Sequence, residues 1–185
     1  IASCLVGSEM CIRDRSNTIA VFQTLPGMAI GNAVLTVSAQ CAGAGDYEQV
    51  KYYAKKLHII IYGLMIVCCL GVIAALPAVL HVYSLSAEAT AMTEDIIVYH
   101  GICCMIIWPI AFTLPNVLRA SNDVAFCMIL SILSMWICRI GMSYVLGVRM
   151  GFGVFGVWVA MTMDWVVRAI FFVLRYRSGK WQHQM

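Results

Sequence analysis

Five apolar runs, at about residues 18–42, 58–83, 96–118, 124–147 and 152–174, occupy most of this chain. Each is long enough for the ~20 residues that cross the hydrocarbon core of a bilayer. Of the 185 residues 62% are hydrophobic and only 11% are charged, whereas a soluble domain carries about 25% charged residues. The fold class that follows is all-α: a polytopic membrane bundle of five transmembrane helices. Nine cysteines do not change this. Cys68, Cys69, Cys103, Cys104, Cys127 and Cys138 fall inside apolar runs without a CxxC spacing, where cysteine acts as a small packing residue.

Loop charge sets the expected orientation. Lys51, Lys55, Lys56, Arg119, Arg175, Arg177 and Lys180 fall on one side of the membrane and Arg149 on the other, so the positive-inside bias places the carboxyl terminus in the cytoplasm. The tail RYRSGKW, with Tyr176 and Trp181 among its bases, suits a headgroup anchor; the partner it calls for is the lipid bilayer, not nucleic acid. The start, IASCLVGSEMCIRDR, is too charged for a signal peptide. SCLVGSEMCIRDRS resembles translated sequencing-adapter read-through, so residues 1–15 are expected to be foreign to the fold and residues 16–185 to form the membrane unit.

The stretch LPGMAIGNAVLTVSAQCAGAGD, Leu25 to Asp46, is the most informative of the five. Asn32, Thr36 and Gln40 recur at four-residue spacing and line one helical face, while Gly27, Gly31, Ser38, Ala42 and Gly45 gather roughly opposite. Small residues let a neighbouring helix approach, and polar side chains inside a membrane seek protein or a wet cavity. This helix is expected to be packed on one side and to border a substrate or cation pathway on the other. Pro26, Pro77 and Pro109 are expected to interrupt three helices and Pro115 to end the third, since proline removes a backbone donor. Such breaks persist in a membrane where neighbours or a cavity satisfy the freed carbonyls.

Asp164 lies near the middle of the last run. An ionised carboxylate there is costly, about 2.5–3.5 kcal/mol on insertion scales, and needs a partner. Arg168, at i+4, and Arg139, in the preceding run, are the two candidates; the arrangement is a static ion pair locking the last two helices, a titrating or cation-binding group, or a carboxylate facing loop or headgroup water through local thinning. His100 is expected to be solvated near the outer interface, and Asn116 to cap a helix end. His58, His81, His100 and His183 occupy separate segments with no HExxH or GxSxG grouping, so an enzyme is not expected.

PGMAIGNAVLTVSAQCAGAGD, LPNVLRASND and GVFGVWVAMTMDWVVRAIFFVLRYRSGKW, in this order and spacing, resemble the carboxy-terminal lobe of bacterial multidrug and toxic compound extrusion (MATE) transporters. The resemblance runs from about Ser16 to Trp181. It implies a fragment of a twelve-helix inner-membrane protein with two pseudo-symmetric six-helix lobes, the five helices here being the eighth to twelfth and the amino-terminal lobe a missing partner. It also implies cation-coupled antiport, in which amphipathic or cationic drugs and toxic compounds leave as Na⁺ or H⁺ enters, through a cavity lined partly by the Asn32 helix. Gly27, Gly31, Gly43 and Gly45 match the helix and turn motif, and Arg119 with Asp123 the loop after the tenth helix; like Pro109, these are structural positions. Some members place an acidic cation ligand about three turns before the Leu-Arg pair. Here that neighbourhood is apolar around Trp108, which leaves the coupling ion, Na⁺ or H⁺, unassigned. No cofactor is implied. A flippase of lipid-linked intermediates from the same superfamily, or a non-transporting membrane subunit, is the alternative.

Overall fold

The computed structural model describes residues 2–83 and 87–183, with side chains described over 13–81 and 89–182. Six α-helices follow one another: α1 Ala2–Gly43, α2 Tyr47–Tyr83, α3 Ala87–Ile106, α4 Leu114–Ala120, α5 Val124–Ser134 and α6 Gly153–Arg177. A π-helical segment, Pro109–Thr113, joins α3 to α4; two more, Met135–Met142 and Val145–Arg149, prolong α5, and a 3₁₀ turn, Lys180–His183, follows α6. Four continuous stretches are long and apolar enough to cross a membrane, and the bent pair Ala89–Ile106 and Pro109–Ala120 makes a fifth if it is one span. The all-α membrane bundle expected from the apolar runs is the fold. The expectation of a foreign start falls mostly on residues whose side chains lie outside those described, as does the side chain of His183; the backbone of α1 is helical from Ala2.

The connector GAGDYEQVKYYAKKL is largely helix, because Val50 and Ala54 recur at helical spacing and are buried while its charges point outward. The turn before it is built by two bonds, from the Gly45 N–H to the Ala42 carbonyl and from the Asp46 N–H to the Cys41 carbonyl at 3.0 Å. That pair of bonds needs a left-handed residue at its centre, and Gly45 supplies φ +75°. Asp46 then accepts the Gln49 N–H at 3.0 Å, capping α2. The same pair of bonds closes α4, with Asn122 at φ +65° in the left-handed position and the Asp123 N–H on the Leu118 carbonyl.

The prolines divide differently from expectation. α1 and α2 run through Pro26 and Pro77 without interruption, since losing one rung leaves the rest of a long ladder intact. At Pro109 the helix is broken and the path bends by 59°. There the Tyr62 hydroxyl of α2 donates to the Ile106 carbonyl at 3.0 Å, satisfying backbone exposed at the break. Pro115 does not end the third run; it opens α4, which continues to Ala120, because a first-turn proline lacks only an N–H that has no helical partner.

α1 packs on α2, α3 and α4. α5 together with the π-helical segments that prolong it, by contrast, is only 11% buried over its most apolar part, against 33% in α6, and shows Ile129, Leu133, Trp136 and Ile137 outward. Its close contact is with α6, where Gly156 lies against the Leu146 backbone.

Candidate functional site

The two faces of α1 separate as the spacing requires except at Gly45, which was expected on the packed face but is exposed in the turn that follows the helix. Gly27, Gly31, Ser38 and Ala42 are buried, whereas Asn32, Thr36 and Gln40 are exposed. On the buried face a Cβ at Gly27 would strike the indole of Trp108, 2.9 Å from Cη2, and one at Gly31 would come within 3.3 Å of Asn116 Nδ2. Gly43, although in the same motif, would meet nothing within 4 Å. The exposed seam is flanked by Met28 and Leu35, also exposed, so the surface is amphipathic. Thr36 returns its hydroxyl to the Asn32 carbonyl at 3.1 Å, a bond within the helix that leaves the Asn32 amide outward.

Between α1 and the bent segment lies a cleft of about 300 Å³, lined by Gly31, Asn32, Trp108, Phe112, Thr113 and Asn116 among others. Thr113 is fully buried and its hydroxyl has no partner among the described residues. Asn116 is not a helix cap. It lies inside α4, where the backbone is already bonded, and its Nδ2 donates 2.9 Å to the Gly31 carbonyl, tying α4 to α1. Gly31 permits that approach, as the small-residue rule for membrane helices requires.

Asp164 is fully buried, with Oδ1 accepting 3.0 Å from Arg168 Nε. Arg168 also donates through Nη2 to the Ser131 carbonyl of α5 at 3.1 Å, so the lock between the last two membrane crossings is made through a backbone oxygen. Asp164 Oδ2 has no partner among the described residues. Arg139 is not the counter-ion. It makes no ion pair among the described residues; its side chain is exposed and lines a separate cleft with Arg13, Asp14 and Trp158. The i+4 arginine wins because it shares a helix face with the carboxylate, at no cost in chain ordering.

Three further contacts were missed in the sequence. His100 is not solvated: it is 2% exposed, its Nδ1 lies 2.6 Å from Gln23 Oε1, and its ring meets Trp158 and Trp165 edge-on at 5.1 and 5.3 Å. An amide oxygen only accepts, so Nδ1 carries the proton. The signal was present, because Gln23 falls one turn before Gly27 and Gly31 on the packed face of α1. Asp123 accepts bidentately from Arg175 of α6, at 2.7 and 3.1 Å. Trp181 is no headgroup anchor either. It is fully buried, stacks on Tyr176 at 5.3 Å, meets Tyr47 edge-on and donates Nε1–H to the Tyr176 carbonyl.

The sequence matches the model of the MatE family over residues 15–145, more than half of the 185-residue chain. The chain belongs to the MatE family. Among MatE-type relatives it is similar to the probable multidrug resistance protein YoeA of Bacillus subtilis, 23% identical over 90% of this chain and 35% of YoeA. It is also similar to the probable multidrug resistance protein NorM of Bacillus licheniformis, at 22% over 77% of this chain and 32% of that protein. The uncharacterized transporter YisQ of B. subtilis is 36% identical over 36% of this chain and 14% of its own length. The chain thus spans about a third or less of each of these relatives. No solved structure matches it significantly.

Proposed function

We propose that this MatE chain is part of the carboxy-terminal lobe of a cation-coupled antiporter exporting amphipathic or cationic drugs and toxic compounds. The exposed Asn32, Thr36 and Gln40 seam then borders a passage shared with an amino-terminal lobe. The division of α1 carries the reading: one face is filled by Trp108 and Asn116 contacts, and the other shows amides where a lipid-facing helix would show hydrocarbon. The relatives' description as multidrug resistance proteins fits an amphipathic passage. The coupling ion is Na⁺ or H⁺, and the carboxyl terminus is cytoplasmic. Asp164, already neutralised by Arg168, belongs to the frame in this reading, and Arg139 to the pathway's outer end.

The test is dye efflux from cells expressing the full-length protein, with Na⁺ and proton gradients collapsed separately. Accumulation should rise when one of the two gradients is removed and in the Asn32→Leu/Gln40→Leu variant. Efflux insensitive to both gradients would overturn secondary transport; efflux unchanged in the variant would remove the seam from the pathway.

A further inference from the structure

At the end of the bundle that holds the Gly45 and Asn122 turns, a cleft of about 400 Å³ opens between α2, the bent segment and α6. Lys51, Ala54, Lys55 and His58 share one face of α2 and form one wall; Ile110 and Leu114 form the floor, and Val173 and Tyr176 the far wall. Polarity is segregated along its depth. Lys55 is exposed at the rim without an ion pair among the described residues, and Lys51 beside it holds only the exposed Glu48, at 2.8 Å. Ala54 and Leu114 are buried below. His58 gives its Nδ1 proton to the Ala54 carbonyl at 2.7 Å, and its Nε2 is buried without a partner among the described residues.

The surrounding charge has one dominant sign. Lys56, Arg119, Arg177 and Lys180 belong to the same end, while Asp123 is already engaged by Arg175. A free inorganic anion would make no use of Ile110, Leu114 and Val173, and a bare hydrocarbon chain would make no use of the lysines. A cationic rim over an apolar trough at a membrane boundary fits a molecule with both parts.

We propose that this cleft binds one anionic phospholipid, its phosphodiester held by Lys51 and Lys55 and one acyl chain laid along Ile110, Leu114 and Val173. The assignment is independent of transport, so failure of the efflux reading leaves it standing.

Native mass spectrometry of the purified chain in detergent tests it, with phosphatidylglycerol and phosphatidylcholine of identical acyl chains as probes. One phosphatidylglycerol should be retained at concentrations about tenfold below those needed for phosphatidylcholine. Lys51→Gln/Lys55→Gln should weaken phosphatidylglycerol roughly 25-fold, at about fivefold per basic residue near a membrane surface, and Lys180→Gln should leave it unchanged. Leu114→Trp, filling the trough, should weaken both lipids. Circular dichroism checks folding; if the double variant does not fold, Lys55→Gln alone should give about a fivefold loss. Equal retention of the two lipids, unchanged binding in the lysine variants, or displacement by inorganic phosphate, which would mark a headgroup-only anion site, would overturn the proposal.

Discussion

At Gly27 the backbone of α1 lies against the indole of Trp108, and a methyl group has nowhere to go. Gly27→Ala should therefore cost about 1–3 kcal/mol, the usual range for overpacking, read as a lowered thermal midpoint in detergent. Gly43→Ala, with open space around it, should stay within about 0.5 kcal/mol of the parent. In sequence these glycines look alike, since both belong to a small-residue motif on an apolar helix. What separates them is a tryptophan from a distant segment, which no local spacing reports. Asp123 makes the same point for charge. Its place in the loop RASND says nothing of a partner, yet its carboxylate is buried under Arg175 of α6, 52 residues away in sequence. Asp123→Ala should strand a mostly buried guanidinium and lower stability by about 3 kcal/mol, and thermal unfolding followed by tryptophan fluorescence would measure it.

Among the helices, length and apolarity were readable because they depend on composition within one segment. The four stretches able to cross a membrane, and the bent pair that makes a fifth if it is one span, follow from that alone; the packed face of α1 needed the spacing of its small residues as well. Helix breaks do not follow from either, since Pro26, Pro77 and Pro109 carry the same covalent constraint and, of the three, only the last lies at an interruption of its helix. The difference lies in the neighbours. Trp108 stacks on Phe112 at 5.2 Å across the bend, and Tyr62 reaches the Ile106 carbonyl from α2. Removing that hydroxyl in Tyr62→Phe should cost about 1 kcal/mol and accelerate hydrogen exchange at the amides of Ile107, Trp108, Ile110 and Ala111, with the rest of the bundle unchanged. Equal exchange in parent and variant would show that the bend holds without α2. The π-helical stretches of α5 likewise carry no local sequence signal visible here.

Across the whole molecule, two kinds of outward surface are present, and their chemistry differs. α5 turns out Met128, Ile132 and Trp136, a surface that hydrocarbon satisfies, and is held to α6 from behind by the bond between Arg168 and the Ser131 carbonyl. α1 turns out Asn32, Thr36 and Gln40 between Met28 and Leu35, and amides in hydrocarbon go unsatisfied. In the proposed reading a passage wall would account for the second surface as lipid accounts for the first. The two can be separated by cysteine substitution in a cysteine-free background of the full-length protein in membranes. Cysteines at 32, 36 and 40 should react with a charged, water-soluble thiosulfonate, and substrate should protect them. Those at 34 and 38, fully buried in this chain, and at 132 and 136, on the apolar side, should not react. Labelling of 32 and 40 by a lipid-soluble maleimide alone would place the seam against acyl chains and remove the passage.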